Sequence, residues 1–208
     1  MEITHPSIDT YLERLHPSED PILAEMEEEG NRRNFPIIGR VVGRLLFQLV
    51  RLSNARRILD MGSGFGYSAY WMALALDADA EITLTDFVDE NLKQAQEYFR
   101  RGSIRCTPHF YAGDCLALLD QLEGEFDFVF NDVEKELYPE VLEKVPQRLR
   151  SGGVLVTDNV LWHGKVTEPD PDEATLGVLR YTAGVFEHPN LFSTVIPVRD
   201  GVSISLRR

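Results

Sequence analysis

From about residue 40 onward, short apolar runs alternate with stretches whose apolar residues recur every three to four positions. Runs at 57–60, 81–85, 109–111, 126–130, 154–157, 192–197 and 203–206 predict seven strands, and helical spacing predicts helices at 39–52, 68–76, 90–101, 116–122, 138–148 and 175–187. That alternation is the mark of a parallel sheet covered by helices on both faces. The last two runs are separated only by residues 198–202, which include Asp200-Gly201, so a hairpin and an antiparallel strand are expected at the carboxyl end. The expected fold is therefore α/β and Rossmann-like, with a seven-stranded, mostly parallel sheet. Upstream, residues 7–30 are acidic and amphipathic, with Tyr11, Leu12, Leu15, Ile22, Leu23 and Met26, and read as helices that Pro36 interrupts. One domain is expected over 1–208, divided into an amino-terminal helical extension (1–35) and a core (36–208).

Composition narrows the class. With 43% hydrophobic and 26% charged residues in 208, the chain is an ordinary globular protein with enough length for one substantial core. The first nine residues are polar, and no window approaches the roughly 18 apolar residues of a membrane span. A cytoplasmic protein without membrane contact is expected. Cys106 and Cys115 are too few for a disulfide framework and lack metal-type spacing. A formal charge of −13 disfavours nucleic acid as a partner, since phosphate backbones would be repelled. The basic pairs Arg32-Arg33, Arg56-Arg57 and Arg100-Arg101 read as solvated surface.

In an open α/β sheet, chemistry gathers in the loops beyond the carboxyl ends of the strands. The first such loop is Asp60-Met61-Gly62-Ser63-Gly64-Phe65-Gly66-Tyr67-Ser68, whose glycines let backbone approach a ligand closely. A dinucleotide fingerprint needs G-x-G-x-x-G; here the third glycine comes one place early and Tyr67 holds its position, which argues against a nicotinamide cofactor. Asp86, at the end of the second run, is placed to accept hydrogen bonds from both hydroxyls of a ribose. Asp60 and Asp86 could equally cap the helices that follow them.

Two further strand ends carry oxygen donors. Asn131-Asp132-Val133-Glu134-Lys135-Glu136-Leu137-Tyr138 follows the run at 126–130, and Thr157-Asp158-Asn159 ends the next. If those strands are neighbours, Asp132, Asp158 and Asn159 supply two carboxylates and an amide oxygen, the hard ligands of magnesium, calcium or manganese, whereas zinc is not suggested. An Asx turn at Asp158-Asn159 and a helix cap at Asp132 account for the same residues, and spacing does not choose between the two.

Taken together, these motifs resemble the cation-dependent O-methyltransferases, the family of the catechol and caffeoyl-coenzyme A enzymes and many bacterial relatives. The likeness runs from about Pro36 to the carboxyl end. It is carried by the glycine loop, Gly113-Asp114, the 126–132 strand with Lys135 and Tyr138, Gly152-Gly153, Asp158-Asn159-Val160-Leu161-Trp162, Gly164 with Val166, and Asp200-Gly201. The resemblance implies S-adenosylmethionine as cofactor, with Gly62, Gly64, Tyr67 and Ser68 around its methionine part and Asp86 on its ribose. Asp114 and Cys115 would line adenine, Ile38 and Gly39 would close the site from the other side, and Asp60, Phe87 and Asp132 complete the cofactor contacts. It further implies a divalent metal, magnesium foremost, on Asp132, Asp158 and Asn159, and Lys135 as the catalytic base if its pKa is lowered. An ion pair of Lys135 with Glu134 or Glu136 is the plainer alternative.

The sequence also departs from the family pattern. Asn131 stands where many relatives are apolar, Glu134 where aspartate is common, and the Arg180 to Ala183 region lacks the Phe-Asn pair of plant-type members. The implied acceptor is a small molecule with adjacent oxygens, such as a catechol, with Trp162, Tyr138 and His163 as candidate walls. Methylation of a modified tRNA base, a non-catalytic nucleotide-binding module and a dehydrogenase of similar fold are the competing readings. Many relatives are dimers, and the amphipathic first segment would serve as either a dimer contact or a lid.

Overall fold

The computed structural model describes residues 3–17 and 20–208. Ser18 and Glu19, inside the stretch read as amino-terminal helices, lie outside the described residues. On either side of them run α1 (Pro6–Leu15) and α2 (Pro21–Arg33), the second begun by Asp20, whose carboxylate accepts from the amides of Ile22 and Leu23.

The remaining elements are α3 (Gly39–Leu52), β1 (Arg57–Met61), α4 (Tyr67–Leu74), β2 (Glu81–Asp86), α5 (Asp89–Arg101), β3 (Thr107–Ala112), α6 (Cys115–Gln121), β4 (Phe126–Asn131), α7 (Tyr138–Arg148), β5 (Leu149–Thr157), α8 (Glu173–Glu187), β6 (Leu191–Ile196) and β7 (Val202–Arg207). They form one seven-stranded sheet in the order β3-β2-β1-β4-β5-β7-β6. β7 runs antiparallel to both neighbours, and the other pairings are parallel.

The apolar runs are nearly unbroken because both faces of the sheet are covered. Ile58, Ile82, Phe128, Phe130 and Val156 face one way, into a core with Val42 and Leu46 of α3, Met72 of α4 and Leu92 of α5. Leu59, Met61, Val129 and Leu155 face the other way, against Leu116 and Leu119 of α6, Val141 and Val145 of α7 and Val178 of α8. Each large aliphatic side chain so buried contributes roughly 1.5–3 kcal/mol before entropy is counted. Leu23 and Met26 attach α2 to the first of these cores.

The main departures from the periodicity are two strand starts and two short turns. β5 begins at Leu149 rather than 154, because Arg150, Ser151 and two glycines hide a strand whose register shifts between Phe126 and Phe128 of its partner. β3 starts at Thr107 and contains Pro108, which the outermost strand of the sheet tolerates. Two 3-10 turns, Lys135–Leu137 and Trp162–Thr167, follow β4 and β5 and were not legible as periodic segments.

The register sets up the site. Met61 pairs with Asn131, and Asn131 with Thr157, so Gly62, Asp132 and Asp158 emerge side by side at one edge. The chain order reverses between β1 and β4, which opens a crevice there. Among the described residues, no helix is long and apolar enough to cross a membrane.

Candidate active site

A cavity of about 740 Å³ occupies this crevice. Its floor is the glycine loop. Gly62 and Ser63 donate to the carbonyl of Thr85 at 3.1 and 2.9 Å, and Gly64 donates to Asp86 Oδ2 at 2.9 Å, so β1 and β2 hold the turn between them. Gly62 has φ +81°, and a Cβ there would lie 2.5 Å from the carbonyl oxygen of Asp132. The loop and the β4 end therefore touch backbone to backbone.

Asp86 is fixed through both oxygens, with Oδ1 accepting from the Val88 amide at 2.8 Å and from Asn91 Nδ2 at 3.1 Å. Asn91 in turn accepts from Arg33 at the end of α2. Tyr67, which lines the cavity, donates to Glu27 Oε1 at 2.8 Å, and Glu27 also receives the guanidinium of Arg40. The amino-terminal helices thus brace the cofactor loop at two points, through residues that lie far from it in sequence.

Opposite the loop, Asp158 is only 5% exposed, and its Oδ1 has no hydrogen-bond partner among the described residues. Burial, then the charge of Asp132, push its pKa up to about 7. Burial likewise raises Asp132, against the opposing charge of Lys135. Lys135, 8% exposed, donates from Nζ to Asp132 Oδ1 at 2.9 Å and to the carbonyl of Val133 at 3.2 Å, under the rings of Tyr138 and Trp162. Its ion pair is with Asp132, not with Glu134 or Glu136. Asn159 follows at φ +56° and its carbonyl accepts from the Trp162 amide. No group of three His, Cys, Asp or Glu side chains has metal-binding geometry among the described residues. The set has two carboxylates and an amide, a donor chemistry suited to a hard divalent cation. A buried carboxylate with an unmatched oxygen, beside a second carboxylate, is a residue pair that such a cation would neutralise.

Of the residues singled out in the sequence, Ile38, Gly62, Gly64, Tyr67, Ser68, Asp86, Phe87, Cys115, Asp132, Lys135, Asp158 and Asn159 line this cavity. Gly39, Asp60 and Asp114 do not. Asp114 is the amino-terminal cap of α6, accepting from the amides of Leu116 and Ala117, and burial pushes the thiol of Cys115 up to about 12. Tyr138 is fully buried beneath the site, where it donates to the carbonyl of Asp158 at 2.8 Å; it supports the β5 end and is not a wall. Trp162 and His163 do line the cavity. Arg199, read only as turn, and Asp200, read as hairpin turn and as one motif of the family resemblance without a site role, line it as well, and Asp200 Oδ1 accepts from the His163 amide at 2.5 Å. A carboxylate before a glycine was the available signal for Asp200, but turn chemistry explained it first.

The profile of a family described as O-methyltransferase matches residues 14–208. The chain belongs to that family. Caffeoyl-CoA O-methyltransferase 1 of Eucalyptus globulus is 28% identical over 208 residues, covering 93% of this chain and 84% of its own. Among solved structures, the O-methyltransferase TomG of Streptomyces achromogenes, determined in complex with SAM, is 30% identical with a TM-score of 0.86 over 97% of this chain and 96% of its own. A methyltransferase from Geobacter sulfurreducens is 26% identical, with a TM-score of 0.85 over 100% and 98% of the two chains. The protein is an S-adenosylmethionine-dependent O-methyltransferase.

Asp60 lies behind the O-methyltransferase glycine loop, fully buried, with Oδ2 accepting from Ser68 at 2.7 Å and Oδ1 unmatched among the described residues. Burial raises its pKa to about 8, partly offset by the Ser68 bond. The native state therefore holds a proton that the unfolded chain has released above pH 3.8. Stability contributed by Asp60 is complete below that value and is lost as pH rises towards 8, with a slope of up to about 1.4 kcal/mol per pH unit. Urea unfolding from pH 5 to 8 should show Asp60→Asn losing less stability with pH than the wild type. Parallel curves would contradict this.

Proposed function

We propose that this O-methyltransferase methylates one of two adjacent oxygens on a small molecule such as a catechol, with a divalent cation, magnesium foremost, held by Asp132, Asp158 and Asn159. The observation that carries this reading is the convergence of a buried carboxylate, Asp158, a half-buried one, Asp132, an amide and Lys135 on the wall opposite the glycine loop. When bound, the cation would acidify a chelated hydroxyl and fix its two oxygens.

The rest follows from the chain's own residues. The methyl carbon of a sulfonium is attacked in line by an oxyanion, so alignment dominates the rate. Gly62, Gly64, Tyr67 and Ser68 hold the methionine part of the cofactor, Asp86 the ribose hydroxyls, and Cys115 with Phe87 the adenine, while Ile38 closes the far side. Oδ2 of Asp86, which accepts only from the Gly64 amide, keeps accepting capacity for a ribose hydroxyl, whereas Oδ1 already accepts from Val88 and Asn91. Lys135 Nζ, once it has released its own proton to solvent and become a neutral amine, would accept the proton of the attacking hydroxyl and return it to solvent at the cavity mouth. Trp162 and His163 flank the acceptor. Caffeoyl-CoA, named for the plant relatives, carries two adjacent hydroxyls on its ring, which agrees with this choice.

The test is methyl transfer to 4-methylcatechol against 4-methylphenol, with magnesium present. The reading expects kcat/KM for the diol to exceed that for the monophenol by at least about 100-fold, since one oxygen cannot chelate. Equal rates on the two would refute a chelating site.

A further inference from the structure

Arg199 sits in the turn between β6 and β7, exposed at the cavity mouth, with φ +51°. A non-glycine residue in that left-handed region is uncommon. Its guanidinium lies on Gly39, the first residue of α3 and the neighbour of the lining residue Ile38. A Cβ on Gly39 would stand 1.7 Å from Nη1, and Gly39 itself has φ +71°. Two backbone conformations that L side chains avoid thus face each other, one presenting an arginine and the other leaving room for it.

That guanidinium has open donors: its charge acts on Asp158 across the cavity, lowering that pKa against burial, but no carboxylate lies within ion-pair distance of it among the described residues. Arg32, Arg40, Arg100, Arg101 and Arg150 each pair with a carboxylate. Arg199 makes no hydrogen bond, ion pair or ring contact among the described residues. Of the nearby carboxylates, Asp132 holds Lys135 and Asp86 the loop amides, while Asp158 Oδ1 and Asp200 Oδ2 lack a hydrogen-bond partner among the described residues but neither forms an ion pair with Arg199. The cavity lining is otherwise acidic, and its other long-chain cation, Lys135, is bound to Asp132. A planar guanidinium fork with open donors matches a carboxylate in two parallel hydrogen bonds.

We infer that Arg199 is a carboxylate-binding residue of this cavity. The inference rests on the reading of the cavity as a methyl-transfer site, in which two carboxylates come within reach: that of the cofactor's methionine part, and an acid group on the acceptor beside its adjacent oxygens.

Calorimetry on the full chain with magnesium separates the two sources. The probes are S-adenosylhomocysteine, 3,4-dihydroxybenzoate and 4-methylcatechol, the last two alike in shape but not in charge. They are titrated into wild type, Arg199→Met and Arg199→Lys. If the acceptor supplies the carboxylate, the acid binds wild type about tenfold more tightly than the neutral diol, the ratio falls to about one in Arg199→Met, and Arg199→Lys recovers part of it. If the cofactor supplies it, the Kd for S-adenosylhomocysteine rises about tenfold in Arg199→Met and the ratio of acid to neutral diol stays as in wild type. Should neither diol bind, the S-adenosylhomocysteine arm alone decides. A variant that leaves both quantities within about twofold of wild type overturns the inference. Binding of these ligands without methyl transfer to either diol would instead refute the functional reading, so the two failures are distinct.

Discussion

Asp158→Ala is expected to lower kcat/KM for methyl transfer by at least about 1000-fold, about 4 kcal/mol of transition-state stabilisation, while S-adenosylhomocysteine binds within about threefold of wild type. The proposed cofactor contacts lie on the loops after β1, β2 and β3 and at Ile38, whereas Asp158 follows β5 on the other wall. The same substitution should leave the metal-free protein as stable as wild type, or more so. Its unmatched Oδ1 and its repulsion with Asp132 both cost stability in the folded state, and the bond from Tyr138 goes to the main-chain carbonyl, which alanine keeps. A buried residue whose removal destroys activity but not the fold is one retained for function. Thermal unfolding without metal, beside initial rates with magnesium, checks both halves; a large fall in Tm with activity retained would mark Asp158 as structural.

Gly62→Ala is expected to fail in the opposite way, losing fold and cofactor together. The new Cβ would stand 2.5 Å from the Asp132 carbonyl oxygen and 2.9 Å from its carbon. Both atoms belong to the main chain of the β4 end, so neither can swing aside. The left-handed φ adds roughly 1–2 kcal/mol, and relieving the overlap a further 1–3 kcal/mol or so. In a domain of this size that total corresponds to a fall in Tm of roughly 5–15 °C. Since the only relief is separation of the loop from Asp132, affinity for S-adenosylhomocysteine should drop by at least about 30-fold. Unchanged melting and unchanged affinity would show that the loop is looser than its contacts imply.

These two positions were legible in the sequence for a physical reason. Strands covered on both faces leave unbroken apolar runs such as Phe126–Asn131, and a polar residue that ends such a run marks the edge where loops meet. Asp132 and Asp158 were found by that rule, and parallel register then placed them side by side. What stayed hidden depends on distant partners. Tyr138 looked like a wall because nothing local shows that its hydroxyl is taken up by the Asp158 carbonyl. Asp114 was assigned to adenine by the family resemblance alone, and the fold uses its carboxylate to cap α6. Glu27 drew no notice on an acidic helix, yet the fold carries it to Tyr67 and Arg40. Arg199 was read as turn, and only its packing on Gly39, a residue from the other end of the chain, shows where its guanidinium goes.

Metal dependence tests the central claim most directly. The enzyme would be stripped with EDTA and dialysed, then assayed for methyl transfer from S-adenosylmethionine to 4-methylcatechol before and after magnesium is restored. Loss of activity by at least about 100-fold on stripping and its return with magnesium, while S-adenosylhomocysteine affinity stays level throughout, is the predicted result. Full turnover by the stripped enzyme would contradict it and leave Asp132, Asp158 and Asn159 without the role proposed for them.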